Sequence, residues 1–163
     1  MNTSFERSDA SDDWITPPEV VQALGIFDTD PCACTPQPIH YAPIEYTKEN
    51  DGLRQPWKGR VWCNPPYDRK ADAFIKKLAD HGTGTLLIFA RVETRTWFTH
   101  IWPKAHAVLF IKGRLYFYRP DGKKGDSAGA PSALIAYGEA DARVLRGLDG
   151  SLGKYVQLRE VLE

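Results

Sequence analysis

An almost uninterrupted apolar run, residues 85–90, restricts the fold of this chain more than any other feature of its sequence. A strand with one face in water alternates apolar and polar residues, whereas a strand covered on both faces is apolar throughout. Strands of the second kind belong to sheets that carry helices on both sides. The run therefore predicts an α/β domain built around a buried parallel sheet.

Helical and extended patterns alternate along the rest of the chain, as this fold class requires. Strands are predicted at residues 26–30, 60–63, 107–111, 115–118 and 134–137, with a further short extended segment at 39–44. Helices are predicted at 68–79, 94–102 and 139–145. A first helix is expected to begin with Thr16 as its N-cap, followed by two prolines, and to stop at Gly25. Ligands of such sheets bind at the carboxyl ends of the strands.

The length of 163 residues fits one domain, expected at residues 13–163 after a flexible polar tail at residues 1–12. No run approaches the roughly 18 apolar residues of a membrane span, and the N-terminus lacks a signal-peptide core. We therefore expect a cytoplasmic protein. Twenty-one basic residues balance twenty-one acidic ones, which argues against a high-affinity, non-specific DNA binder but not against an enzyme that meets DNA through one local patch.

Three cysteines, Cys32, Cys34 and Cys63, are an odd number, and the first two are too close in sequence for an easy mutual disulfide. Together with His40 they suggest a zinc site, but the paired spacing of common zinc modules is missing. Reduced, partly buried thiols and no bound metal are therefore expected.

The motif that carries chemistry is Asn64-Pro65-Pro66-Tyr67, which follows a hydrophobic strand and precedes a helix. An exocyclic amine is a poor nucleophile because its lone pair is delocalised into the ring. Acceptors aimed at the amino hydrogens favour a tetrahedral nitrogen and stabilise the positive charge that develops. An Asn oxygen and a backbone carbonyl supply such acceptors, prolines keep the segment rigid, and the aromatic ring offers a stacking face for a base. A plain strand-to-helix turn with a core tyrosine is the alternative.

The sequence resembles the amino-methyltransferases, and among them the short phage-type DNA N6-adenine methyltransferases of the Dam-like family. The resemblance covers nearly the whole chain after residue 12. It rests on an ordered set of motifs: Asp13-Trp14-x-Thr16-Pro17, Phe27-Asp28-x-Asp30-Pro31-Cys32-Ala33, Asp51-Gly52-Leu53, Trp57-x-Gly59, Asn64-Pro65-Pro66-Tyr67 and Gly113-Arg114-Leu115-x-Phe117.

The resemblance implies a compact single-domain, Rossmann-like methyltransferase fold with S-adenosylmethionine as methyl donor. It also implies a site for the cofactor. Trp14 and Thr16 close over its methionine end, and Asp30 pairs with the methionine amino group. Residues Pro31, Cys32 and Ala33 offer backbone amides, Asn64 lies beside the donor, and Asp51, with Leu53, accepts from the cofactor adenine.

The chain departs from many methyltransferases in having Asp-Pro-Cys-Ala where a glycine-rich loop usually follows the first strand. The short stretch between Asp30 and Asn64 also leaves no obvious acid for the cofactor ribose, with Glu45 and Glu49 as candidates. The phage-type family shares this reduced pattern.

The expected partner is DNA with its target adenine flipped out of the duplex. Tyr67 is the expected stacking ring, and Arg91, Thr94, Trp97 and Arg114 are candidate substrate contacts. Packing of an amphipathic helix is the alternative role for Trp97 and Phe98. The loop at 118–131 is expected to be mobile until DNA binds, and the small recognition surface predicts a short or relaxed target sequence.

Three alternatives remain open at this point. The same motif serves methylation of RNA amino groups and of a glutamine amide in protein, because the planar nitrogen poses the same problem. Cytosine N4 is a further target, although those enzymes more often have Ser at the position of Asn64. The remaining alternative is not an enzyme but a catalytically silent nucleic-acid-binding module on the same fold. If DNA is the substrate, the modification either protects a genome, such as that of a phage, from restriction or serves regulation.

Overall fold

A seven-stranded mixed sheet forms the centre of the protein, whose computed structural model describes residues 14–35 and 38–160. The helices of this part are α1 (Pro18–Ala23), α2 (Ala71–His81) and α3 (Glu139–Gly147). The strands are β1 (Thr29–Asp30), β2 (Ile44–Glu45), β3 (Val61–Cys63), β4 (Gly84–Phe89), β5 (Ala107–Ile111), β6 (Tyr116–Tyr118), β7 (Lys124–Ser127), β8 (Ser132–Tyr137) and β9 (Gly153–Gln157). The expected tail at residues 1–12 lies outside the described residues.

The strand order in the sheet is β2-β1-β3-β4-β8-β5-β9. Neighbours from β2 to β4 run parallel, with Val61 opposite Gly84 and Cys63 opposite Leu86. β8 lies antiparallel between β4 and β5, and β9 pairs antiparallel with β5 at the edge. The expected α/β class is thus confirmed, but the sheet is mixed rather than wholly parallel.

Both faces of the sheet are buried, which explains the apolar run at residues 85–90. Leu86 packs with α2 on one face, and its neighbour Leu87 packs with α1 and α3 on the other. Because successive side chains of a strand point to opposite faces, a strand between two helical layers needs apolar residues at every position. Both leucines are fully buried.

The first helix begins one residue later than its sequence pattern predicts. Pro17 is the N-cap and its side chain makes no capping hydrogen bond, while the Thr16 hydroxyl contacts Asn64 instead of the helix. The expectation that Thr16 caps α1 is therefore wrong, because Pro17 takes the capping position and Pro18 the first helical one. The helix ends at Ala23 with Leu24 as its C-cap, and Gly25, the residue expected to stop it, follows with a positive φ of 89°.

A hairpin formed by β6 and β7 occupies the segment that the sequence suggested was a mobile loop. Its first strand also pairs with the N-terminal segment, since Ile15 and Tyr118 exchange two backbone hydrogen bonds of 2.8 and 2.9 Å. Residues 14–16 are thus held against the hairpin. Among the residues the structure describes, no helix is long and apolar enough to cross a lipid bilayer.

Candidate active site

A cleft opens at the carboxyl ends of β1 and β3, where the connections of the parallel strands diverge to opposite sides. From β1 the chain moves outward to β2, and from β3 it moves the other way to β4. Such a switch point is where open α/β sheets bind ligands. The cleft spans about 760 Å³ when the open solvent at its mouth is included. It is lined by Trp14, Pro31, Cys32, Ala33, Cys34, Thr47, Lys48, Asp51, Gly52, Asn64, Pro65, Pro66, Tyr67, Asp68, Lys70 and Phe74.

Asn64 follows the last residue of β3 directly, and its side chain has a defined orientation. The amide nitrogen Nδ2 donates to the Trp14 carbonyl and to the Thr16 hydroxyl, each at 3.2 Å. A carbonyl can only accept, so the nitrogen must face Trp14 and Oδ1 must face the other way. The Asn64 side chain therefore presents its acceptor atom, Oδ1, toward the cleft.

Tyr67 completes the motif and lies against a residue that sequence reasoning missed. Its ring stacks on Phe89, the last residue of β4, at a centroid distance of 4.7 Å and an interplanar angle of 9°. Its hydroxyl donates a long hydrogen bond of 3.4 Å to Asn64 Oδ1. The Phe89 ring fixes the plane of Tyr67, and nothing in a strand of apolar residues marks Phe89 for that task.

The loop after β1 forms a second wall of the cleft. Asp30 is 3% exposed and its Oδ1 accepts from the backbone amide of Cys32 at 3.1 Å. It borders a smaller cavity behind the cleft, together with Thr16 and Asn64. Burial, together with a hydrogen bond to the Cys63 thiol, raises the pKa of the Cys32 thiol. Cys32 therefore stays neutral at physiological pH.

The three cysteines are free thiols in the structure. No group of histidine, cysteine and carboxylate side chains that could hold a metal ion occurs within residues 14–35 and 38–160.

The third wall is the turn at Asp51, whose φ of 54° is the positive value unusual for a residue with a side chain. The Asp51 carboxylate accepts from the Leu53 amide at 3.3 Å, which stabilises this conformation. At Gly52 the backbone touches the loop after β1, since a Cβ there would lie 2.2 Å from the Pro31 carbonyl oxygen. Leu53 is partly buried and packs against the core, and it does not line the cleft.

The two candidate acids for the cofactor ribose do not line the cleft. Glu45 ends β2, but its carboxylate binds His40 Nδ1 at 2.9 Å. Glu49 accepts from the Thr35 hydroxyl at 3.4 Å, and hydrogen bonds from Thr47 and its own backbone lower the pKa of this exposed carboxyl. Neighbouring Thr47 and Lys48 do line the cleft, although no sequence pattern pointed to them.

Trp97 is wrongly assigned as a base contact. Its side chain is fully buried, its Nε1 donates to the Phe89 carbonyl at 3.1 Å, and its ring stacks on Phe110. The turn that carries it, Trp97–Ile101, is π-helical rather than a regular helix. The packing alternative therefore describes Trp97, whereas Phe98 is 65% exposed.

The other substrate candidates lie outside the cleft lining. Arg91 is exposed after β4, with its guanidinium 6.0 Å from the centre of the Phe89 ring, and Thr94 donates to the Arg91 carbonyl. Arg114 follows β5 and donates to the Ala128 carbonyl at 3.1 Å. Because β4 and β5 run in the same direction, both arginines stand at the edge of the sheet that holds Asn64.

Comparison with known proteins gives one family match. Searches of the curated proteins and of the solved structures each found no significant similarity. The chain does match the family described as DNA N-6-adenine-methyltransferase (Dam), over residues 3–156. This match spans almost the entire sequence, including every segment that lines the cleft. The chain therefore belongs to the Dam family of DNA N-6-adenine-methyltransferases.

Proposed function

We propose that the protein transfers a methyl group from S-adenosylmethionine to the N6 amino group of adenine in DNA, on a Rossmann-like methyltransferase fold. The observation that carries the proposal is the orientation of Asn64: both amide hydrogens are used by Trp14 and Thr16, and Oδ1 remains the acceptor. Membership in the Dam family supports the choice of adenine in DNA as the substrate.

The residues of the cleft fit S-adenosylmethionine in chemistry, since the carboxylate of Asp51 and the amide of Asn64 lie beside apolar side chains such as Pro31 and Phe74. Asp30 would pair with the amino group of the cofactor, Asp51 would accept from its adenine, and residues 31–33 would lie along it. The cofactor supplies an electrophilic methyl group when it is bound.

The protein's own contribution to the reaction is the placement of acceptors and of a stacking ring. Asn64 Oδ1 accepts a hydrogen of the target amine, and the rigid Pro65-Pro66 segment offers a backbone carbonyl for the other. These acceptors favour the tetrahedral nitrogen and stabilise the charge that appears on it. The Tyr67 hydroxyl contact at 3.4 Å is long for a hydrogen bond, so an amine hydrogen can replace it at little cost.

An adenine inside a duplex cannot reach Asn64, so the target base must leave the stack. Tyr67, fixed in its plane by Phe89, is the surface on which we expect the base to rest. Arg91 and Arg114 follow β4 and β5, the two strands that flank β8, and at this edge of the sheet they are suited to contact phosphates. The small surface available for base contacts supports a short recognition sequence.

The experiment that tests the proposal is methyl transfer from labelled S-adenosylmethionine to unmethylated duplex DNA, followed by nucleoside analysis. Wild-type protein should yield N6-methyladenine, and Asn64→Ala should lower kcat by about 100-fold or more, the loss typical of a transition-state hydrogen bond. Gln157→Ala removes an exposed amide from β9, at the far edge of the sheet, and should leave the rate unchanged.

The outcomes separate the alternatives. Binding of cofactor in a calorimeter without modification of DNA would redirect the proposal to RNA or to a protein amide. Absence of cofactor binding would favour the catalytically silent module. Methylation mapping that revealed a long, strict site would contradict the expected short recognition sequence.

A further inference from the structure

Thr16 is buried beside the reacting end of the cleft, and its hydroxyl contacts Asn64 rather than helix α1. The side chain is 1% exposed, and Oγ1 lies 3.2 Å from Asn64 Nδ2. The Tyr41 hydroxyl donates to the Thr16 carbonyl, while Ile15 is fixed by its paired backbone hydrogen bonds with Tyr118. The Thr16 hydroxyl is thus presented to Asn64 from a backbone that is anchored on two sides.

The position of Asn64 Oδ1 depends on both partners of its nitrogen. The Trp14 carbonyl holds one amide hydrogen and the Thr16 hydroxyl holds the other. Without the hydroxyl, one hydrogen of a partly buried amide loses its acceptor, and rotation about the last side-chain bond is no longer opposed from that side. A rotation that satisfies the freed hydrogen elsewhere carries Oδ1 away from its present direction.

We propose that Thr16 is a positioning residue for the methyl-transfer reaction, which holds Asn64 so that Oδ1 faces the target amine. The inference rests on the proposed function of the site. It assigns to Thr16 a task different from the cofactor contact expected from the family resemblance, because the hydroxyl is directed at Asn64. Tyr41 supports the same arrangement, and burial raises the pKa of its hydroxyl, which therefore remains a donor.

Two substitutions at residue 16 isolate the hydroxyl from the shape of the side chain. Thr16→Val keeps a branched side chain of nearly the same volume and removes the acceptor, whereas Thr16→Ser keeps the acceptor. Thr16→Val should lower kcat about 10- to 100-fold, as expected for one lost hydrogen bond that orients a transition-state contact. Its KM for DNA and its calorimetric Kd for S-adenosylmethionine should stay within about twofold of wild type. The substitution removes no direct contact with either ligand under this inference. Thr16→Ser should recover most of the rate.

A spectroscopic readout tests the geometry independently of activity. The side-chain NH₂ signal of Asn64 in ¹H–¹⁵N spectra is assigned by its disappearance in Asn64→Asp. In wild type both hydrogens are bonded, so the signals should exchange slowly with water. Thr16→Val should shift one of them and speed its exchange, and Thr16→Ser should not.

The results distinguish this inference from the proposed function. If wild-type protein methylates DNA but Thr16→Val weakens cofactor binding with kcat unchanged, Thr16 is a cofactor ligand and the inference is wrong. If the Asn64 signals are the same in Thr16→Val as in wild type, the positioning role is also refuted. If wild-type protein methylates nothing while the Asn64 signals respond as expected, the proposed function fails and the positioning of Asn64 by Thr16 stands.

Discussion

At Gly52 the backbone passes so close to the loop after β1 that no side chain fits between them. A Cβ would lie 2.2 Å from the Pro31 carbonyl oxygen, which is backbone and cannot move aside as a flexible side chain can. The Trp57 Nε1 hydrogen bond of 2.8 Å to the Gly52 carbonyl holds the turn from the other side. Because Gly52 has no Cβ, its backbone can touch the loop after β1. This contact sets the distance between these two walls of the cleft.

Under the proposed function, Gly52→Ala should therefore open the cleft and weaken the binding of S-adenosylmethionine. Overpacking a close contact costs about 1–3 kcal/mol, which corresponds to a loss of about 5- to 150-fold in affinity when the strain is relieved by displacing the turn. The measurement is calorimetric titration with S-adenosylmethionine. Gly147→Ala is the matched control, because nothing lies within 4 Å of a Cβ at this last residue of α3. Equal affinities for the two variants would show that the turn does not bound the cofactor site.

The sequence predicted the residues of the cleft better than it predicted their partners. Asn64, Tyr67 and Asp51 were identifiable because an acceptor, a ring and a turn carboxylate are needed at set places in the chain. The contacts of Thr16 with Asn64 and of Phe89 with Tyr67 join residues 48 and 22 positions apart, and no local pattern encodes such a distance.

Strand β3 and helix α3 are joined by an ion pair at the amino ends of the parallel strands. Arg60 Nε donates to Asp141 Oδ1 at 2.8 Å, and the Thr85 hydroxyl donates to the same oxygen at 2.7 Å. The Asp141 side chain is fully buried and that of Arg60 is 16% exposed. The guanidinium also lies 4.1 Å from the centre of the Phe27 ring. This pair couples the sheet to a helix on the side away from the cleft.

Asp141→Ala should destabilise the protein strongly, because it leaves the Arg60 charge largely buried without its carboxylate. Breaking a buried pair by removing one partner costs about 3–5 kcal/mol of unfolding free energy. Glu139→Ala removes an exposed pair with Arg143 in the same helix and should cost less than about 1 kcal/mol. Urea denaturation measures both. Similar losses for the two variants would mean that burial adds nothing to the Arg60–Asp141 interaction.

The sequence predicted β6, as the strand at 115–118, but missed its hairpin partner β7 for a physical reason. β7 consists of Lys-Gly-Asp-Ser, which has neither alternating apolar residues nor β-branched ones, and three of its four residues are exposed. Its place is set by pairing with β6 and by close packing, since a Cβ at Gly125 would lie 2.8 Å from the Trp14 ring. Strand β9 likewise shows no clear pattern, because it is an edge strand with mostly exposed side chains.

The hairpin carries exposed cations and is, under the proposed function, the element best placed to contact the DNA backbone. Arg119→Ala and Lys123→Ala should each weaken binding to duplexes of any sequence. Each should also reduce the slope of the logarithm of the binding constant against the logarithm of the salt concentration by about one. Fluorescence anisotropy at several salt concentrations measures both quantities. Lys58→Ala, at the amino ends of the strands, is the control and should change neither. A loss confined to one DNA sequence would indicate base contacts instead.

In the molecule as a whole, the two ends of the parallel strands carry different groups of residues. Asn64, Asp30 and the hairpin gather at the carboxyl ends of the parallel strands, where the cleft opens. The Arg60–Asp141 pair and the contacts of His106 lie at the opposite ends, around the start of α3. Although the total charge is balanced, the charges are unevenly distributed along the chain. Five of the cations and only two carboxylates fall between residues 112 and 127, the segment that contains the hairpin. Substitutions at the amino ends should therefore alter stability while sparing the chemistry.

Two histidines, His106 and His100, make the stability of the protein depend on pH. His106 Nδ1 accepts from the Gly138 amide at 3.0 Å, which requires that nitrogen to be unprotonated. Burial lowers the pKa of His106 below its ordinary value of 6.5, and the charge of Arg159 adds to the effect while Glu139 opposes it. Burial also lowers the pKa of His100, with Lys104 as the next cause. The folded state thus favours the neutral form of both rings, and the unfolded state binds protons more readily.

The sign of the stability change follows directly. Well above pH 6.5 both rings are neutral in the folded and in the unfolded state, so their contribution to the unfolding free energy is complete. As the pH falls below this value, through the lowered pKa of the folded state, the contribution is lost. Denaturant unfolding between about pH 5 and 8, above the range in which most carboxylates titrate, should show a plateau and then a decline on the acid side. His106→Asn keeps an acceptor for Gly138 and removes the titration, so its decline should be smaller than that of wild type. A decline of equal size in both proteins would show that His106 does not cause the pH dependence, whereas a rise in stability toward acid pH would contradict the neutral folded-state form of the two rings.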